Sequence, residues 1–549
     1  MRFSLPLLSA SALLAASGVS ALPKVSRVGR YLYDESGTRF FVKGIAYQEP
    51  GTGAFTVTNG FPEPDDFIDP LVDSTACNRD LPYLKQLGVN AVRVYSVDPT
   101  LNHDACMQAF SGAGIYTIID LSQPKNGSLD RSAPKWTTNL LNLYLTTIDA
   151  FSKYDNVLAF TVGNEVVTAP AETVAAPFIK AAARDVKAYL KSKSISALVT
   201  YASTDGSQWR NNLAQYLSCG DESTTIDLYG LNNYEWKGDA SIQSYGGTNT
   251  AFSTYNIPAY FSEYGSNANF PTPRPFTEVA ALFGPEMSQT WSGGLAFSYF
   301  QGTEQGFGVV DLSEDGSTVT PNQDFTNLQT QYGAVTFQTT PAMADAGATQ
   351  YPACVEPDGV NFLGSNTLPP TPNQDACNCV VEKASPCVYQ ARTENFSAVV
   401  GPLFSFACST LGSQGSDACS DLAANGTTGV YGPMSACDPQ SQLSFVFGAF
   451  YEASGQNVAS CNFDGNATLN ANAPTSSAGV EAATSSCLSN ALSVSTPTGP
   501  SSPVETTHSG GSNGTTTGGG SGDGTGAATR VGLAVGTMFL AFLAGVAML

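Results

Sequence analysis

Histidine is almost missing from this chain: there are two in 549 residues, His103 and His508. Imidazole is the commonest ligand of catalytic transition metals, so metal chemistry built on it is excluded, and no metal or other cofactor is implied. Basic charge is scarce as well. The 24 Lys and Arg stand against 46 Asp and Glu, for a formal charge of -22. A surface so poor in cations has nothing to grip a phosphate backbone, which excludes nucleic acid as a partner and favours a neutral polymer such as a polysaccharide. A Gly-rich phosphate loop after the first strand-like run is also lacking, which argues against an open nucleotide-binding sheet.

What is present is a chain 42% hydrophobic and long enough for more than one domain. The first 21 residues read as a secretory signal, with Arg2, an apolar stretch, and Val19-Ser20-Ala21 before the cut. Twelve cysteines, an even set, and sequons at Asn126, Asn395, Asn425, Asn466 and Asn513 agree with that route. The apolar run Val531 to Leu549 follows a small-residue tract and has no Lys or Arg after it. That pattern is expected of a GPI signal, a propeptide over 523-549 attached through Asn513 or a residue around Ser521 to Asp523. The expected location is the outer face of the plasma membrane through the lipid anchor.

Between the signal and residue 340, eight β-rich apolar runs alternate with helical patterns: 39–46, 90–96, 114–121, 156–164, 196–203, 226–234, 257–265 and 293–300. Strands apolar on both faces need helices on both sides, and eight such units over 22-340 predict an α/β fold, a (β/α)₈ TIM barrel. Val174, Phe178, Ile179, Ala182, Val186 and Leu190 recur at helical spacing between the fourth and fifth runs. Residues 341-376 read as a linker tied back by Cys354, and 377-487, with eight cysteines, as a small disulfide-rich module. A disordered Ser/Thr/Gly tail is expected over 488-522.

Catalytic groups of such barrels sit at the C-terminal ends of the strands. Asn164 and Glu165 close the fourth run, and Glu263 lies near the end of the seventh. Taken singly, each carboxylate is as easily a paired or surface group; as two acids across one barrel mouth they match glycoside chemistry, which needs an acid/base and a nucleophile. Other strand ends carry Tyr95, Asp120, Asp205, Tyr234, Trp236 and Tyr299, aromatic and polar groups suited to sugar faces and hydroxyls.

The stretches "FFVKGIAYQ", "NAVRVYSVDP", "YDNVLAFTVGNEV", "YASTD", "DLYGLNNYEW" and "YFSEYG" resemble the fungal β-1,3-glucanosyltransferases of glycoside hydrolase family 72 over about residues 25 to 340. The Cys-rich segment resembles that family's carbohydrate-binding (X8, family 43) module. The resemblance implies a retaining enzyme that cuts an internal β-1,3-glucan bond and transfers the new reducing end to the non-reducing end of another glucan. It implies Glu165 as acid/base, Glu263 as nucleophile, and Asn164 beside the acid as the holder of the sugar's 2-hydroxyl. Tyr95, Asp205, Arg210 and Tyr299 are implied as glucan contacts, with Gln48, Asp120 and Tyr234 as further candidates and Ser122 to Asp130 as a substrate-lining loop. It also implies the pairs Cys77 with Cys106 and Cys219 with Cys354. The family's cysteines after "NNYEW" and "SEYG" are replaced here by Lys237 and Ser266. Two rivals remain: an endo-β-1,3-glucanase that only hydrolyses, and an inactive glucan-binding wall protein.

Overall fold

The computed structural model describes residues 21–49, 55–58, 61–64, 67–123, 128–302, 306–390 and 396–503. The signal before residue 21, the GPI region after 503, and the sequons at Asn126, Asn395 and Asn513 lie outside the described residues. Among those described, no helix is long and apolar enough to cross a membrane.

Eight parallel strands close a barrel in sequence order: β1 (Val42–Ala46), β2 (Ala91–Val94), β3 (Tyr116–Asp120), β4 (Val157–Asn164), β5 (Leu198–Thr204), β6 (Leu228–Asn232), β7 (Ala259–Tyr264) and β8 (Trp291–Ala296). Closure is made by β8 on β1, from Gly293 opposite Val42 to Ala296 opposite Ile45. The TIM barrel expected from the eight runs is therefore the fold. The strands form where β-branched and aromatic residues accumulate, and nearly every one of their residues is buried because helices cover the outside. At Gly44 any Cβ would stand 2.4 Å from the Ala91 carbonyl oxygen, so only glycine lets β1 and β2 approach this closely.

Helices α1 (Ser74–Leu87), α2 (Asp104–Gly112), α3 (Thr138–Phe151) and α4 (Ala176–Ser192) follow the early strands. Asp73 caps α1 by accepting from Thr75 N at 2.7 Å, and Gly88 ends it at φ 66. The helical spacing expected between the fourth and fifth runs is realised in α4, where Phe178, Ile179, Ala182, Val186 and Leu190 are buried, except at Val174, which lies half-buried in the 3-10 turn Pro170–Ala175 before it. The bottom of the barrel is shut by the hairpin Ser26–Val28 and Tyr31–Tyr33. Val25 and Leu32 pack there with Val42, Ala91, Ile118, Leu158, Leu228 and Leu295. Apolar filling at one end leaves the buried polar groups to the strands' C-terminal ends, which is where a site can form.

All twelve cysteines are paired. Cys77–Cys106 joins α1 to α2, and Cys219–Cys354 ties the Pro-rich stretch after the barrel back onto it. The Cys-rich module has its own core around Val380, Leu411, Leu443, Val446 and Phe447. Its bonds are Cys377–Cys437, Cys379–Cys487, Cys387–Cys461 and Cys408–Cys419. The expectation of a disordered tail from 488 is corrected for its first part. Ser493 and Ser495 bond to Thr371, and Ser501 N donates to Asn142 Oδ1 at 2.9 Å, so the chain through 503 lies along the linker and α3.

Candidate active site

The centre of the site is a buried cation that sequence reasoning missed. Arg93, on β2, is 0% exposed. Its Nε and Nη2 donate to the two oxygens of Asp120 at 3.1 and 2.7 Å, a bidentate pair that satisfies both charges in the barrel interior. Arg93 Nη2 also donates to Asn164 Oδ1 at 2.9 Å, and Nη1 to Glu263 Oε1 at 3.3 Å. One guanidinium thus fixes the ends of β3, β4 and β7 together. A lone arginine inside the apolar run "NAVRVYS" was the available signal.

Glu263 is 6% exposed. Tyr95 donates its hydroxyl to Oε1 at 2.9 Å and Tyr234 its own to Oε2 at 2.7 Å. Burial and then the neighbouring Glu165 charge push the Glu263 carboxyl up to about 7, against Arg93 and the two phenols, which favour the anion. Both tyrosines are raised well above the ordinary phenol range, chiefly by burial, so they stay protonated and act as donors.

Glu165 follows β4 directly and is held at φ 50, the left-handed region that a residue with a Cβ seldom occupies. Its Oε1 accepts from Asn232 Nδ2 at 2.7 Å, and the same amide reaches Asn164 Oδ1 at 3.2 Å. Ser262 in turn donates to Asn232 Oδ1 at 2.7 Å, which sets the orientation of that amide. Asn232 is the second residue missed; it ends β6 within the "NNYEW" stretch. Glu165, Asn164, Asn232, Arg93, Glu263, Tyr95 and Tyr234 therefore belong to one connected network.

Other expected residues fall elsewhere. Asp205 and Arg210 form an ion pair at 2.5 Å, and Asn233 and Thr248 join them to Glu235 in a second polar cluster beside the first. Asp205 is raised by burial and lowered by Arg210, with burial the larger effect. Gln48 spends its amide on main chain, accepting from Tyr95 N and Ser96 N at 3.1 and 3.0 Å and donating to Ile68 O at 2.7 Å. It positions Tyr95. Asp120 likewise acts through Arg93. Asp130 is exposed and accepts from Ser132 N and Oγ, closing its own turn. Ser122 is half-buried past the end of β3, and residues 124–127 of that loop lie outside the described residues.

Two aromatics need correction. Tyr299 is fully buried away from the network, with its hydroxyl on Asp80 at 3.3 Å and its ring against Tyr47 and Phe300. The ring near the site is Phe297, with centroids 6.3 Å from Tyr95 and 6.5 Å from Tyr234, edge to face with both. Strand alternation in "GGLAFSYF" does not say which aromatic past the strand end turns inward. Trp236 is 5% exposed, packs on Tyr245, and donates Nε1 to Gly238 O and Thr277 Oγ1, so it is part of the core rather than a sugar platform.

A parallel barrel with two carboxylates at the ends of the fourth and seventh strands, among amides and phenols, defines an enzyme class that acts on glycosides. Comparison with known proteins narrows the class. Residues 15–336 match the glycoside hydrolase 72 family model, described as glucanosyltransferase, and 385–468 match the X8 domain. The chain is 39% identical over 479 residues to the 1,3-beta-glucanosyltransferase gas1 of Schizosaccharomyces pombe, covering 85% of this chain and 82% of that protein. It is 39% identical over 470 residues to the 1,3-beta-glucanosyltransferase GAS2 of Saccharomyces cerevisiae, covering 81% and 80%. The solved structure of a Glu-to-Gln mutant of Saccharomyces cerevisiae Gas2p with laminaritetraose and laminaripentaose superposes with a TM-score of 0.74 at 35% identity, covering 85% of this chain and 99% of that one. The chain belongs to glycoside hydrolase family 72, the glucanosyltransferases, and carries an X8 module. Its reaction class is glucan transglycosylation.

Proposed function

We propose that the protein elongates cell-wall β-1,3-glucan by double displacement, with Glu263 as nucleophile and Glu165 as acid/base. The observation that carries this is the set of donors around Glu263. Glu263 receives two phenol hydroxyls and a guanidinium, all of which favour its anion. In this reading Glu165 carries the proton and gives it to the leaving glycosidic oxygen while the Glu263 anion attacks the anomeric carbon. The C–O bond to the leaving chain breaks as the Glu263–carbon ester forms. Glu165, now ionised, takes the proton of an incoming glucan hydroxyl, and the ester is displaced with net retention.

A covalent route uses a carboxyl spacing of about 5 to 5.5 Å, narrower than direct attack by water requires. Asn164, with its oxygen committed to Arg93 and Asn232, offers its NH2 to the 2-hydroxyl of the sugar. Phe297, Tyr95 and Tyr234 supply the aromatic lining, and the Asp205–Arg210 cluster holds hydroxyls further along the chain. Laminari-oligosaccharides bound to Gas2p support β-1,3-glucan as donor and acceptor. The same reading assigns 1-21 to a signal, 22-340 to the catalytic domain, 377-487 to a glucan-binding module and 523-549 to a GPI signal. Release of the protein from membranes by a phosphatidylinositol-specific phospholipase tests the anchor.

The central test is incubation with a laminari-oligosaccharide of defined length. Products longer than the substrate are expected, and exclusively shorter ones would make the protein a hydrolase. Glu165→Gln is expected to lower kcat by at least about 100-fold, the scale of general acid/base catalysis.

A further inference from the structure

The segment that leads into α3 runs as a strut between the candidate site and the Cys-rich module. At the site end, Arg131 Nη2 donates to the main-chain oxygen of Glu165 at 3.0 Å. Glu165 N donates to Ala202 O at 2.8 Å, so this left-handed residue is gripped on both of its peptide groups. Such a backbone is strained and persists only where neighbours enforce it. Midway, Trp136 is 1% exposed and its Nε1 donates to Asp185 Oδ2 on α4 at 2.8 Å. At the far end Thr138 N donates to Ala436 O at 2.9 Å, and Thr138 Oγ1 accepts from Asp438 N at 3.0 Å. Lys135 Nζ reaches Gln442 Oε1 at 3.4 Å.

The module side is itself braced. Gln442 Nε2 donates to the carbonyls of Met434, Ser435 and Cys437 at 3.0, 3.1 and 3.0 Å, and Cys437 is bonded to Cys377. A rigid turn of the module therefore presses on the strut, while the strut's other end holds the peptide that aims the Glu165 carboxyl.

We propose that Arg131 is a positioning residue for Glu165, and that the module fixes where Arg131 stands by gripping Lys135 and Thr138. The module then contributes to the proton-transfer step through the backbone of the acid/base residue, separately from any binding of glucan. This rests on the reading of Glu165 as acid/base. Once the Arg131 bond is lost the Glu165 peptide can rotate, and its carboxyl leaves the line to the glycosidic oxygen; a misplacement of about 1 Å costs on the order of 100-fold.

The test uses the full chain and the oligosaccharide assay. Arg131→Ala is expected to lower kcat about 10- to 100-fold with KM within about twofold, and to move the basic limb of the kcat–pH profile, because a displaced carboxyl no longer meets the Asn232 amide that holds its Oε1 at 2.7 Å. Arg131→Lys, which keeps a donor, is expected to recover part of both. Lys135→Met and Thr138→Val are expected to shift the same limb in the same direction, by less, with the module still folded by its own melting transition. Wild-type kcat and profile in Arg131→Ala would overturn the proposal. An impaired Arg131→Ala beside wild-type profiles in both module-facing variants would overturn the module's part. Activity surviving in Glu165→Gln would instead remove the acid/base reading, which separates the two failures.

Discussion

Glu263 carries two demands that pull in opposite directions. Catalysis needs its anion, whereas burial favours the neutral acid and pushes it up to about 7 from 4.5. A carboxyl raised on folding stabilises the fold fully below its unfolded value, and that contribution is lost as pH rises through the folded value. The window is therefore about pH 4.5 to 7, and the loss is at most on the order of 3 kcal/mol. Glu278, 3% exposed and pushed up to about 7 mainly by burial, adds a loss of the same sign. Glu263→Gln keeps the shape and one acceptor oxygen for one phenol, turns the other phenol into an acceptor of the new NH2, and removes the charge. Its melting temperature is expected to equal the wild type's near pH 4.5 and to exceed it increasingly toward pH 8, while activity is abolished. A constant offset across that range would show that Glu263 does not titrate in the window. A second contrast separates the aromatic neighbours. Phe297→Ala is expected to raise KM several-fold or lower kcat/KM by about 10-fold, through loss of an aromatic wall worth about 0.5 to 1.5 kcal/mol. Tyr299→Phe, which removes only a long bond to Asp80, is expected to leave kcat/KM within about twofold.

At the scale of elements, the barrel was legible because its signal is repeated and local. Each strand is a short β-rich run buried on both faces, and Val157–Asn164 and Ala259–Tyr264 end on the polar residues that close the site. Glu165 and Glu263 could be singled out because an acid at the end of a buried strand is costly unless partners or a reaction require it. Orientation past a strand's end was not legible. Phe297 and Tyr299 are two residues apart in the same apolar stretch, and only tertiary packing decides that Phe297 faces Tyr95 while Tyr299 turns to Asp80. Arg93 and Asn232 were hidden for a related reason: their function is relayed through other side chains, and spacing along a strand does not record what lies across the barrel. Disulfide connectivity in the module belongs here too. Cys377 and Cys379 are neighbours in "CNC" yet bond to Cys437 and Cys487, partners chosen by how helices pack.

For the whole molecule, the barrel, linker, module and first part of the tail are tied by specific bonds rather than strung as beads. Arg184 and Asp185 on α4 pair with each other, Arg184 Nη1 donates to Pro369 O at 2.9 Å, and Thr371 donates to Asp185 Oδ1 at 2.8 Å. Thr371 N in turn donates to Ser493 O and its Oγ1 accepts from Ser495 N, so the segment after the last cysteine is a clasp over the linker. Composition alone reads that segment as flexible because its bonds are made by small polar residues to a distant partner. The Cys379–Cys487 bond, with a sequence separation of 108, is the covalent half of the same arrangement. Replacing both cysteines by serine is expected to cost roughly 2 to 5 kcal/mol of module stability. Ending a secreted chain at 487 instead of 503 removes the clasp together with Leu488, which packs on the module core, and buried Ala491, at a cost of about 1 to 3 kcal/mol. Both variants are expected to lower the module's melting transition, the serine pair by more. Identical transitions in chains ending at 487 and 503 would mean that residues 488–503 rest on the linker without holding it.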